Sequence, residues 1–199
     1  QDADPGYGDP YTNLGMLSLA SEQREDALNF LEKGFILSPD KDDTITAYHT
    51  AISGLELYGR AEPMFREAST AYPGNKRILF LLIDVLLKQE KCTEAMDEVE
   101  RAMVHLGIDD GILSAALEIR EKVGPKTIVT NAGPKKHAKS RTTLSACLIV
   151  KNEEKHLARC LNSIKPIVDE IIVVDTGSSD KTRDIATAFG AKLYDFEWT

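Results

Sequence analysis

Ala27, Ala61 and Ala95 stand 34 residues apart, and Pro39, Pro73 and Gly107 repeat the same step. A fixed period of that length confines the chain to a stack of like units, each too small to bury its own apolar face. Within each period the pattern reads as two helices. Small residues let the pair approach closely, and a proline or glycine ends the second helix. Three periods cover 8–41, 42–75 and 76–109, about the minimum for a continuous core. Ile112, Ala115, Ala116 and Ile119 then mark one more amphipathic helix, expected to cap the stack.

Tyr11, Leu14, Gly15, Ala27, Leu31, Gly34 and Pro39 resemble the tetratricopeptide pattern. The register returns at Tyr48, Ala61, Phe65, Ala68 and Pro73, and again at Leu82, Ala95, Val99, Ala102 and Gly107. The resemblance implies a groove for a protein or peptide partner, lined by the first helix of each repeat at Asp9, Thr12, Met16, Asp43, Thr46, Thr50, Arg77, Phe80 and Asp84. That surface leans acidic and lacks a Lys/Asn clamp for a terminal carboxylate. Repeats that only scaffold or dimerise the protein are the competing reading.

The last quarter changes period. The apolar runs at 144–150 and 171–174 read as strands, the second as one covered on both faces. Leu157, Cys160, Leu161 and Ile164 fall on one helix face between them, and Pro166 stops that helix. Ile185, Ala186 and Phe189 mark a second helix with Gly190 at its end, and a third strand is expected over 192–196. Strands alternating with helices imply a parallel sheet with right-handed crossovers, whose ligands lie beyond the strands' carboxyl ends. Lys151-Asn152-Glu153-Glu154 and Asp175-Thr176-Gly177-Ser178-Ser179-Asp180 occupy two such ends.

Asp-Thr-Gly-Ser-Ser is also an aspartic-protease signature. That chemistry needs two facing copies sharing a proton, and the chain has one, followed by a helical pattern. The run from Ser145 to Glu154, then Leu161-Asn162-Ser163-Ile164, then Val168 to Thr182, with Phe196-Glu197-Trp198, resembles instead the N-terminal part of family 2 glycosyltransferases. This resemblance implies a GT-A fold, Rossmann-like α/β, binding a nucleotide-diphosphate sugar and transferring the sugar with inversion. By the resemblance Lys151, Glu153, Asp175, Thr176 and Gly177 hold the donor nucleotide, carboxylates accepting from base and ribose. The family's metal-binding Asp-x-Asp does not occur after Asp175. A divalent metal, Mn or Mg, is therefore expected only for the complete domain. The chain is expected to be a truncated, inactive piece, with no catalytic residue and no metal ligand of its own. An interaction scaffold carrying a vestigial nucleotide-sugar-binding half domain is the alternative.

Charge supports this division. The chain carries net −8, distributed as −11 over 1–123, +5 over 124–143 and −2 over 144–199. Residues 124–143, with Gly124-Pro125 and Gly133-Pro134, are expected to be a basic linker between repeats plus cap (1–123) and α/β part (144–199). So short a basic run on an acidic chain is weak evidence for a nucleic-acid partner, and none is expected. Cys92, Cys147 and Cys160 have no metal spacing. Cys147 and Cys160 read as core thiols, which suits a reducing, cytoplasmic compartment. No apolar run is long enough to span a membrane, and no signal peptide is visible.

Overall fold

The computed structural model describes residues 7–124 and 143–197. The expected linker thus lies outside the described residues except at its ends. The chain divides into two compact units, Gln1–Lys91 and Cys92–Thr199.

The first unit holds five helices, α1 (Asp9–Ala20), α2 (Arg24–Leu37), α3 (Asp42–Leu55), α4 (Tyr58–Ala71) and α5 (Lys76–Lys88). Acidic residues fill the first turns of α1, α2 and α3, where they meet the positive end of the helix dipole. Asn75 caps α5, its side chain accepting from the amides of Arg77 and Ile78. The glycines at 15 and 34 set how closely α1 and α2 approach. A Cβ on Gly15 would stand 2.5 Å from Leu31 Cγ, and one on Gly34 2.5 Å from Thr12 Oγ1. Ala27 and Ala61 are fully buried, as the period requires. The core is aromatic. Phe35, Tyr48 and Phe65 form a triangle with ring centroids 5.1, 5.1 and 5.7 Å apart. Tyr48 donates its hydroxyl to Glu32 at 3.4 Å, so its polar end is satisfied.

A further element of the period shows its conformation only in the backbone. Glu22, Glu56 and Glu90, again 34 residues apart, adopt left-handed φ of 60°, 55° and 60°. Each sits in the turn between the two helices of a period.

The second unit holds α6 (Cys92–His105), α7 (Asp110–Val123), β1 (Ser145–Val150), α8 (Leu157–Ile164), β2 (Glu170–Asp175), α9 (Thr182–Ala188) and β3 (Lys192–Asp195). The expected capping helix is α7, with Ile112, Ala116 and Ile119 buried. The third period straddles the boundary between the units, because α6 shares its unit with the sheet. There α6 packs on α7 and α8, and α7 packs on α9. The strands form a parallel sheet in the order β1-β2-β3, with Val150 opposite Asp175 and Asp175 opposite Asp195.

Two expectations fail here. Burial along β2 alternates, with Ile171, Val173 and Asp175 buried and Ile172 and Val174 only half-buried. Among the described residues the strand is therefore covered on one face rather than two. The strand order advances in one direction, so right-handed crossovers carry α8 and α9 to the same face. Cys147 alternates onto the other face and is exposed. Cys160 is also exposed, because Leu157, Ala158 and Leu161 form the buried stripe of α8 and Cys160 lies on its flank. Neither is a core thiol.

The joint between helices and sheet is ionic. Arg120 of α7, buried, donates from Nη2 to Glu100 Oε1 at 2.8 Å and from Nε to the Ala188 carbonyl at 2.9 Å. Lys165, just past α8, reaches the other oxygen of Glu100. Burial pushes the Glu100 carboxyl above its ordinary range despite the opposing pull of Lys165 and Arg120.

Candidate functional site

Beyond the carboxyl ends of β1 and β2, two loops are laced together. The loop after β2 turns at Gly177, whose φ of +97° is a conformation that favours glycine. The loop after β1 turns at Asn152, with φ of +55°. Asn152 Oδ1 accepts the Ser179 amide at 2.8 Å, and the Asn152 amide donates back to Ser178 Oγ at 2.9 Å. The Glu153 amide donates to Thr182 Oγ1 at 2.7 Å, and the Glu154 amide to Asp180 Oδ2 at 3.2 Å. The Lys181 amide returns to Glu154 Oε2 at 3.2 Å. Asp180 also accepts the Thr182 amide at 3.0 Å, so it serves the start of α9 and the neighbouring loop at once.

Asp175 ends β2 and is buried. Its carboxylate accepts from the Ser178 amide at 3.1 Å, from the Ser178 hydroxyl and from Arg183 Nη1 at 3.0 Å. Burial alone would raise its pKa. The Ser178 hydrogen bonds and the Arg183 guanidinium outweigh that and hold the carboxyl below its usual range. Arg183 also bridges to Asp195 at the end of β3.

The structure brings the five sequence-derived donor residues to this one edge. Lys151 and Glu153 are exposed, and their side chains have no hydrogen-bonding or ionic partner among the described residues. Thr176 is turned inward, its amide and hydroxyl both engaging the Val150 carbonyl at 2.9 and 3.0 Å. Sequence reasoning missed Arg183, Ser178, Thr182 and Asn152. The step of eight residues from Asp175 to Arg183, across a turn and into a helix, carries no sequence signal that pairs them.

Metal fit is poor on this edge. Asp175 and Asp195 are already bridged by Arg183, and no cluster of three or more metal-ligating side chains occurs among the described residues. Both carboxylates serve the edge as acceptors for one guanidinium.

The nine groove positions of the repeats are distributed unevenly. Thr12 is buried, donating to the Gly8 carbonyl at 3.2 Å. Asp9 pairs with Lys41 at 3.0 Å, Arg77 with Asp42 at 3.1 Å and with Thr46 Oγ1 at 2.6 Å, and Asp84 with His49 at 3.0 Å. These are cross-links between successive first helices. Met16, Asp43, Thr50 and Phe80 remain exposed. Among the described residues no helix is long and apolar enough to cross a membrane.

Residues 145–198 match the family model described as Glycosyl transferase family 2. A TPR repeat-containing protein of Synechococcus elongatus is 54% identical over 55 residues, which is 28% of this chain and 14% of that protein. An uncharacterized glycosyltransferase of Rickettsia felis is 51% identical over 55 residues, 28% of this chain and 19% of that protein. Among solved structures, a MamA structure (AMB-1) aligns with a TM-score of 0.43 at 20% identity, covering 58% of this chain and 63% of that one. The chain thus spans less than a fifth of the two relatives' length. Residues 145–198, which hold the parallel strands, are thus similar to family 2 glycosyltransferases, and the helices before them repeat every 34 residues in the manner of a tetratricopeptide array.

Proposed function

We propose that the edge formed by 151–153 and 175–178 is the nucleoside part of a nucleotide-diphosphate-sugar site, in a protein that transfers the sugar to an acceptor while its repeats engage a protein partner. One observation carries the reading. Asp175 is a buried, ionised carboxylate at the carboxyl end of a parallel strand, and the unpartnered Glu153 stands on the neighbouring loop. Such ends are where parallel sheets bind nucleotides. Uracil N3–H and ribose hydroxyls are donors, and carboxylates can only accept. Asp175 is held by Ser178 and Arg183, so its main part is to fix the loop and the local charge. Glu153 is the open acceptor, and Lys151 offers a cation to phosphate.

Titration with uridine diphosphate, followed by amide chemical shifts, tests this. Shifts are expected at 151–153 and 175–178, weakened by Glu153→Gln and by Asp175→Asn. No shift at ~10 mM nucleotide, which excludes a Kd even of order 1 mM, would overturn it. On the repeats, the exposed Met16 and Phe80 are the apolar contacts proposed for a partner.

A further inference from the structure

Within the second unit a cleft of about 500 Å³ opens between the α6–α7 connection and the starts of α8 and α9. Its apolar lining is Met103, Leu106, Ile108 and Ala158. Its polar lining is basic, with His105, Lys155, Arg159 and Lys181 against the single carboxylate of Glu154. Lys181 is answered by Asp110 at 2.6 Å. Lys155 and Arg159 are exposed and have no carboxylate within ion-pair distance among the described residues. An acidic chain of net −8 thus presents two uncompensated cations over an apolar floor.

We propose that this cleft docks an acidic peptide segment, with one apolar side chain on the Met103–Ala158 floor and flanking carboxylates on Lys155 and Arg159. Charge complementarity selects the occupant. Desolvating a carboxylate beside an unpaired guanidinium gains more than beside a cation already neutralised, and the fork of Arg159 suits a bidentate carboxylate. A nucleic acid is disfavoured, because no Phe, Tyr or Trp lines the cleft to stack a base. The inference is independent of the nucleotide edge, since it uses neither Asp175 nor Glu153.

The test is fluorescence anisotropy of a labelled Asp-Glu-Leu-Glu-Asp peptide on residues 1–199. Saturable binding with Kd below about 1 mM at low salt is expected, with amide shifts at 103–108 and 155–159. Lys155→Glu with Arg159→Glu should weaken it at least ~10-fold, about 1.4 kcal/mol, with the circular dichroism spectrum unchanged because both residues are exposed. Leu→Ser in the peptide should weaken it several-fold. Equal binding by the double variant, equal binding of Lys-Arg-Leu-Arg-Lys, displacement by inorganic phosphate at ~10 mM, or tighter binding of an oligothymidylate would each overturn the proposal.

Discussion

The two units fasten helices by opposite means. In the first, α2, α3 and α4 meet through Phe35, Tyr48 and Phe65, and the charges stay outside as cross-links such as Arg60–Glu32 and Lys41–Asp9. In the second, α6 and α7 meet α8 and α9 through a buried Glu100 shared by Arg120 and Lys165. Like units stacked on like units need only shape, which ring packing supplies without directional demands. A helical pair facing an α/β element has no repeating partner. A buried ion cluster then fixes one arrangement, because any other leaves a charge unpaired.

The largest expected effect tests the aromatic side. Phe65→Ala should cost about 3–5 kcal/mol, read as lost hydrogen-exchange protection at Ile45 and Ile52. A cost below about 1 kcal/mol would show that the triangle is not the fastening.

Arg120→Met should cost about 3 kcal/mol in the second unit, by leaving Glu100 under-compensated and the Ala188 carbonyl unbonded. Replacing Glu100, Arg120 and Lys165 together with apolar residues should restore most of that stability, a result that shape-based fastening does not predict. The pH dependence follows from the same cluster. Glu100 holds its proton more tightly folded than unfolded, so its contribution is fullest below the ordinary glutamate value of 4.5 and is lost as pH rises through the higher folded value. Chemical denaturation of the Glu100→Gln variant should show that decline removed.

Gly190→Ala is expected to cost about 1–2 kcal/mol. The residue has φ of +73°, and an added Cβ would stand 3.3 Å from the Arg120 guanidinium. Thermal melting measures the loss, and combining it with Arg120→Met should give less than the sum, since both act on one contact.

The smallest effect should be a gain. Glu56 holds a left-handed turn at φ 55°, and Glu56→Gly relieves a strain of order 1 kcal/mol, partly offset by the entropy of the unfolded chain. A rise in melting temperature is expected.

Much of this architecture is legible in the chain. The alanines at 27, 61 and 95 and the breakers at 39, 73 and 107 report helix pairs because steric crowding recurs wherever like helices pack. The strand at β2 is legible because a β-branched run has few other uses, and β1 as a short apolar run ending in Ile149-Val150. What escaped is relational. Cys147 sits in an apolar run, yet its face is decided by the side to which both crossovers turn. Arg183 is unremarkable as one basic residue in a helix, and becomes the partner of Asp175 only once the turn at Gly177 folds α9 back. The glutamates at 22, 56 and 90 repeat in the sequence too, but their left-handed conformation escaped because glutamate has no preference for it.

The sheet face that carries Cys147 also has its own chemical reporter. Cys147 lies exposed in the middle of β1 beside the exposed Ile149. Whatever comes to rest on that face, a second molecule or further polypeptide, must shut the Cys147 thiol away from solvent. Its alkylation rate is then a clock for occupancy, and Cys160, exposed on α8, keeps time as the internal reference.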